Sequence, residues 1–63
     1  MNPQAAITAA RNAGKPVRAT LDDGRVLVGV PYATLTGQHA IKPAGAARPV
    51  LFSAADVVEV IPA

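Results

Sequence analysis

Few side chains in this sequence have the type and spacing that catalysis requires. His39 is the single histidine, and no cysteine or neighbouring acid gives it the spacing of a metal site. Ser53 and Asp56 lie three residues apart, which is typical of a turn cap and not of a nucleophile beside its base. We therefore expect a structural or solvated His39, no catalytic residue, no metal site and no cofactor. We predict that the protein is not an enzyme.

Two further patterns have structural interpretations. Asp22-Asp23-Gly24 contains adjacent carboxylates, but this tripeptide between two alternating apolar segments is typical of a hairpin turn. Gly24 and Gly29 do not form a phosphate-binding loop, because such a loop needs a Gly-Lys-Ser/Thr sequence before a helix and the chain has none.

The sequence is better supplied with groups that bind than with groups that react. Six basic and four acidic side chains give a net charge of +2 at pH 7. Single-stranded nucleic acid is held by cations that contact phosphates and by aromatic rings that stack on bases. The residues predicted to bind nucleic acid are Arg18, Arg25, Tyr32, Lys42 and Arg48. Solvated charges, and a core position for Tyr32 in place of one on a loop after Pro31, are the alternatives.

Length and composition restrict the architecture. Sixty-three residues form one domain at most, predicted as 1–63, and alanine accounts for 14 of its 32 apolar residues. Such a domain has a thin core, so self-association is expected to supplement it. The sequence has no cysteine, no apolar run near the roughly 20 residues that span a bilayer, and no signal-peptide pattern at its start. We therefore expect a cytoplasmic protein.

The N-terminal residues predict a short helix over about 3–13. Asn2 supplies a capping side chain, Pro3 is favourable at the first helical position, and Gly14 supplies the stop. The apolar face of this helix is narrow, with Ile7 as its only large side chain. The helix is therefore expected to cover the end of a core that other elements form.

After Pro16 the apolar pattern changes to a period of two, which indicates half-buried strands. The predicted strands are 17–21, 26–30, 38–42, 50–52 and 57–61. Bends are expected at residues 29–31, because of Gly29 and Pro31, and at the tight turn 53–56. The predicted fold is mainly β: a short N-terminal α-helix and then a five-stranded, strongly bent antiparallel small barrel over about 16–62, of SH3-like or Sm-like type.

The last predicted strand has large apolar side chains on both faces. Only Glu59 interrupts its valines and isoleucine, whereas a strand with one wet face alternates more regularly. Edge-to-edge pairing between copies of the chain would cover such a strand. The predicted oligomer interface consists of Val50, Phe52, Val57, Val58, Val60 and Ile61. For Phe52 a position in the core is the alternative.

The layout resembles the Sm-like (LSm/Hfq) superfamily. Residues 23–30, with Gly24 and Gly29 separated by four residues, are similar to the first Sm motif, and residues 51–62 are similar to the second. The resemblance implies a five-stranded barrel that assembles into a ring and binds RNA. The Lys and His that line the uridine pocket of Hfq are absent, because Phe52-Ser53-Ala54-Ala55 stands in their place.

Two classes of function follow from these patterns. The first is a non-catalytic Sm-like barrel that forms a homo-oligomeric ring and binds RNA. The alternative is an SH3-like module that docks on a protein partner, or a purely structural oligomeric barrel. No membrane partner is expected for either class.

Overall fold

A computed structural model describes residues 2–63, and Met1 of the predicted domain lies outside this range. The protein is mainly β, with one N-terminal helix and two antiparallel sheets of three strands each. The elements in chain order are α1 (Pro3–Ala13), β1 (Val17–Leu21), β2 (Val26–Gly29), β3 (Tyr32–Ala33), β4 (His39–Ile41), β5 (Val50–Phe52), a 3-10 turn (Ala54–Asp56) and β6 (Val57–Pro62).

The helix forms where the sequence predicts it and is capped as predicted. The Asn2 side chain accepts a hydrogen bond from the Ala5 amide at 2.7 Å, and Gly14 ends the helix in the left-handed conformation, with φ of 66°. Ile7 is its one buried residue. The Gln4 side-chain amide donates to the carbonyls of Ala54 and Val57, both at 3.2 Å. These bonds fasten the helix to the turn before β6.

The six strands divide into sheet A, ordered β2-β1-β6, and sheet B, ordered β3-β4-β5. The five-strand prediction is corrected at one point: β2 ends at Gly29, and Tyr32–Ala33 is a separate strand that pairs with β4. Two residues, Val30 and Pro31, join the sheets at this corner. Following the chain around the corner, the outermost strands are β6 and β5. No strand pairing within residues 2–63 joins these two, so closure into a barrel is not seen.

The core lies between the two sheets and under the helix. Its buried members are Ile7, Val17, Ala19, Leu21, Leu27, Ile41, Phe52 and Val57. The alternation predicted for β1 is confirmed, because Val17, Ala19 and Leu21 all face this core. In β2 the core side chain is Leu27, whereas Val26 and Val28 are 51% and 42% exposed. The valines of β2 therefore lie on the outer face of sheet A.

A bulge in β6 explains why that strand has apolar residues on both faces. Its pairing with β1 passes over Val58, so two consecutive residues, Val58 and Glu59, point outward. Val57 is buried and Val60 packs against the core, whereas Val58 and Ile61 are 54% and 41% exposed. The second apolar face of β6 is therefore left uncovered by this chain.

The corner between the sheets depends on a glycine. A Cβ atom on Gly29 would lie 2.9 Å from Cγ2 of Ile41 and 3.3 Å from the Lys42 carbonyl oxygen. Ile41 is fully buried, so its side chain has no free space into which it could move.

Gly29→Ala is expected to lower the free energy of unfolding by at least about 2 kcal/mol, because it overpacks this corner. Gly45→Ala is the matched control: Gly45 also has a positive φ, 81°, but no atom lies within 4 Å of its added Cβ. The control should cost about 1 kcal/mol from backbone strain alone. Urea denaturation measures both values, and equal losses of stability would contradict the steric explanation.

Candidate nucleic-acid interface

The outer face of sheet B carries the one tyrosine of the chain. Tyr32 pairs with Ala40, and Ala40 pairs with Leu51, so the three side chains form a row across the sheet. Ala40 is fully buried between its neighbours, whereas Tyr32 and Leu51 are 44% and 49% exposed. Tyr32 lies in a strand and not on the predicted loop. Its ring is nonetheless available to solvent on a flat, partly apolar surface.

Lys42 directly follows the strand that carries Ala40. β4 ends at Ile41, and if its alternation continues for one more residue, Lys42 is on the face that carries Tyr32 and Leu51. Lys42 is exposed, and it makes no ion pair within residues 2–63. Two members of the predicted set, an exposed aromatic ring and a cation, thus lie in β3 and directly after its neighbour β4. We name the side chains Tyr32, Ala40, Lys42 and Leu51 the tyrosine face.

Arg25 is already paired. Its guanidinium Nε donates to Asp23 Oδ2 at 2.7 Å, and its amide donates to Asp23 Oδ1 at 3.0 Å. The amide bond and then the guanidinium hold the pKa of Asp23 below its ordinary value. This arrangement belongs to the predicted hairpin turn, in which the Leu21 amide also donates to the Arg25 carbonyl at 2.8 Å. Arg25 is therefore an element of the turn.

The other two predicted cations lie elsewhere. Arg18 is on the outer face of sheet A, with Val28 and Ile61 as its cross-strand neighbours. Arg48 is exposed in the loop between β4 and β5. The predicted set is thus divided between the two sheets, the hairpin turn and a loop. Only Tyr32, in β3, and Lys42, directly after the neighbouring strand β4, are close in the strand order of one sheet.

Two of the predicted interface residues are not available to a second copy. The side chains of Phe52 and Val57 are 2% and 1% exposed because they fill the core of their own chain. Val50 and Val60 are half-buried against the same core, whereas Val58 and Ile61 are exposed. Leu51 is a surface residue that the sequence patterns did not single out, although its place between Val50 and Phe52 in a short strand is a signal that it faces outward.

Ser53 and Asp56 form the predicted turn cap. The Ser53 amide donates to Asp56 Oδ2 at 3.2 Å, and the Asp56 amide donates to the Ser53 carbonyl at 3.0 Å. These contacts start the turn before β6. They use the Asp56 carboxylate as a hydrogen-bond acceptor for the backbone.

His39 is buried on the inner face of sheet B. Its ring centroid lies 5.9 Å from that of Phe52, and its Nδ1 atom is buried without a hydrogen-bond partner in the described part of the chain. Burial lowers the pKa of His39, and the nearby positive charge of Arg11 lowers it further. A neutral imidazole in the core fits the structural interpretation of this residue.

Three other observations bear on function. Within residues 2–63, no three His, Cys, Asp or Glu side chains form a group able to hold a metal ion. No helix in this range is long and apolar enough to cross a membrane. An apolar groove of about 310 Å³ lies between α1 and the end of β6, and Lys15 is among its lining residues.

Comparison with known protein families, with curated proteins and with solved structures finds no match to this chain.

The stability of the protein is expected to fall as the pH decreases from 7 to 5.5. The pKa of His39 is lower in the folded chain than its ordinary value near 6.5, so the unfolded chain binds a proton first and is favoured in this interval. Above about pH 7 both states are neutral at His39 and this contribution is constant. His39→Leu should remove most of this dependence of stability on pH between 7 and 5.5. Urea midpoints at successive pH values measure the effect, and a parent profile without a slope would contradict it.

Proposed function

We propose that this chain is a non-catalytic Sm-like small barrel that binds single-stranded RNA as a homo-oligomer. The observation that carries the proposal is the tyrosine face: the strand of an exposed aromatic ring pairs with β4, and the residue directly after β4 is a cation that has no ion pair among residues 2–63. RNA is bound in this way because every base has a face that can stack and every nucleotide has a charged phosphate.

The position of Tyr32 in a strand suits the binding of an unpaired base. Its backbone is already held by pairing with Ala40, so a base that stacks on the ring has only the side chain to order. Stacking of one base on an aromatic side chain contributes about 1–3 kcal/mol. Leu51 extends the apolar surface on the far side of Ala40, and Lys42 supplies the phosphate contact. The absence of Lys and His from the turn after β5 requires this mode of binding to differ from that of the Hfq uridine pocket.

The homo-oligomer is supported by the two outermost strands. Within residues 2–63, β5 and β6, like β2 and β3, each have one edge without a partner strand, and exposed edges of this kind tend to pair with other chains. Pairing of β5 from one copy with β6 of the next is head to tail, and it ends in a ring if the rotation closes. A ring also adds the charges of its members, which compensates for the net charge of only +2 on one chain.

A second candidate function is favoured by one specific observation. Leu35 is fully exposed at the tip of the turn between β3 and β4, where a hydrogen bond of 3.0 Å joins the Thr34 and Thr36 hydroxyls. A stiff turn that presents one leucine would suit an SH3-like module docking on a protein partner. That function predicts saturable binding to one protein and no general affinity for RNA.

Titration of a short, labelled single-stranded RNA at several salt concentrations tests the proposal. The parent should bind less tightly as salt increases. Lys42→Ala should weaken binding and reduce the slope of log affinity against log salt by roughly 0.7 for each phosphate that is no longer neutralised. Tyr32→Ala should weaken binding by about 1–3 kcal/mol with an unchanged salt slope, because stacking releases no counterions.

Two matched variants control for loss of the tyrosine hydroxyl and for the change in net charge. Tyr32→Phe keeps the ring and should retain the affinity of the parent. Arg25→Ala removes the same formal charge as Lys42→Ala, but from a guanidinium that already contacts Asp23, so its effect should be smaller. Equal decreases in affinity for Lys42→Ala and Arg25→Ala would show a net-charge effect only. Lack of RNA binding by the parent at low salt would overturn the proposal.

A further inference from the structure

The outer face of sheet A is unusually apolar for a surface that faces solvent. Four large apolar side chains on this face are between 41% and 54% exposed: Val26, Val28, Val58 and Ile61. The middle strand β1 presents Arg18 and Thr20 between these apolar side chains of β2 and β6. An open antiparallel sheet normally has mostly polar residues on its solvated face, so exposed apolar groups on both outer strands indicate an interaction surface.

Two charged side chains of opposite sign are set into this face. Arg18 lies between Val28 and Ile61, and Glu59 lies on the neighbouring strand opposite Thr20. Both are exposed, and neither makes an ion pair within residues 2–63. The face therefore presents one positive and one negative charge, surrounded by β-branched apolar groups.

We propose that a second copy of this chain packs on the outer face of sheet A, with Arg18 of each copy against Glu59 of the other. This association is separate from the edge pairing of β5 and β6 and from RNA binding at the tyrosine face. The charge pattern is what selects a second copy, because a face with one charge of each sign is complementary to itself. A two-fold axis brings residue i to j and residue j to i, so both charges are paired at once.

The required geometry is ordinary for stacked sheets. The two-fold axis runs between the two stacked sheets, parallel to them, and passes midway between Arg18 and Glu59. It places Arg18 of each copy over Glu59 of the other. Sheets stack about 10 Å apart, a distance that the valine and isoleucine side chains fill from both sides. The apolar contact supplies the free energy of association, and the two ion pairs fix the register.

This inference assigns Arg18 a different partner from the one that the sequence predicts. If Arg18 bound phosphates, Glu59 beside it would repel them and its removal would strengthen RNA binding. If Arg18 and Glu59 instead paired diagonally within one sheet, reversing both charges in one chain would restore the parent, but mixing two single variants would not. Mixed single variants therefore separate pairing between copies from every arrangement within one copy.

The experiment measures the mass in solution of Arg18→Glu, of Glu59→Arg and of their equimolar mixture by analytical ultracentrifugation. Each variant alone would face like charges at both pairs, so its self-association should weaken by about a hundredfold or more and its mass should fall by half relative to the parent. In the mixture each interface regains two opposite-charge pairs, so the mass of the parent should return. The doubly reversed chain, Arg18→Glu with Glu59→Arg, should associate as the parent does.

Three outcomes would overturn the inference: single variants that keep the parent mass, a mixture that stays at the mass of the single variants, or a parent that does not self-associate. Restoration in the mixture also shows that both single variants are folded. RNA affinity at the tyrosine face is measured separately with Tyr32→Ala, a substitution in sheet B. RNA binding at the tyrosine face is therefore tested independently of this inference.

Discussion

The close approach of Gly29 to Ile41 and Lys42 makes the two-sheet architecture of this protein possible. Because Gly29 has no Cβ atom, β2 can run against β4 and turn at Val30 and Pro31 into β3. The turn converts what would be one long strand into members of two sheets, and the core forms between them. A larger side chain at this point would separate the sheets and open the core of a domain that has few large apolar groups.

The same corner decides which surfaces are left for binding. Sheet B turns the tyrosine face outward, whereas sheet A turns outward a face of valines, an isoleucine and two opposite charges. The helix covers neither face, because its buried residue, Ile7, and its hydrogen bonds from Gln4 are directed to the core and to the turn before β6. Both outward faces therefore leave large apolar side chains exposed, and surfaces of this kind are the ones on which proteins associate.

The candidate site was predictable in its residue types and not in its grouping. Tyr32 and Lys42 are ten residues apart in sequence, and only the pairing of Tyr32 with Ala40 brings Tyr32 beside the strand that Lys42 follows. Arg25 carries the same charge as Lys42, but the hairpin turn gives it a local partner in Asp23. Phe52 and Val57 are large apolar residues of the kind found at interfaces. They are buried in the core instead, because the chain has few other large apolar side chains to fill it.

The local elements of this protein follow from its sequence alone. The helix caps at Asn2 and Gly14, the hairpin turn at residues 22–24 and the alternation of β1 act over a few residues, so no distant contact is needed to form them. Which side of β2 is inside depends on the packing of the whole chain. Both of its alternating sets contain large apolar groups, and Leu27 joins the core in preference to Val26 and Val28 because its side faces the opposite sheet once the chain has turned at Gly29. In β2 burial is decided by what lies opposite, because periodicity within the strand cannot choose between two apolar faces.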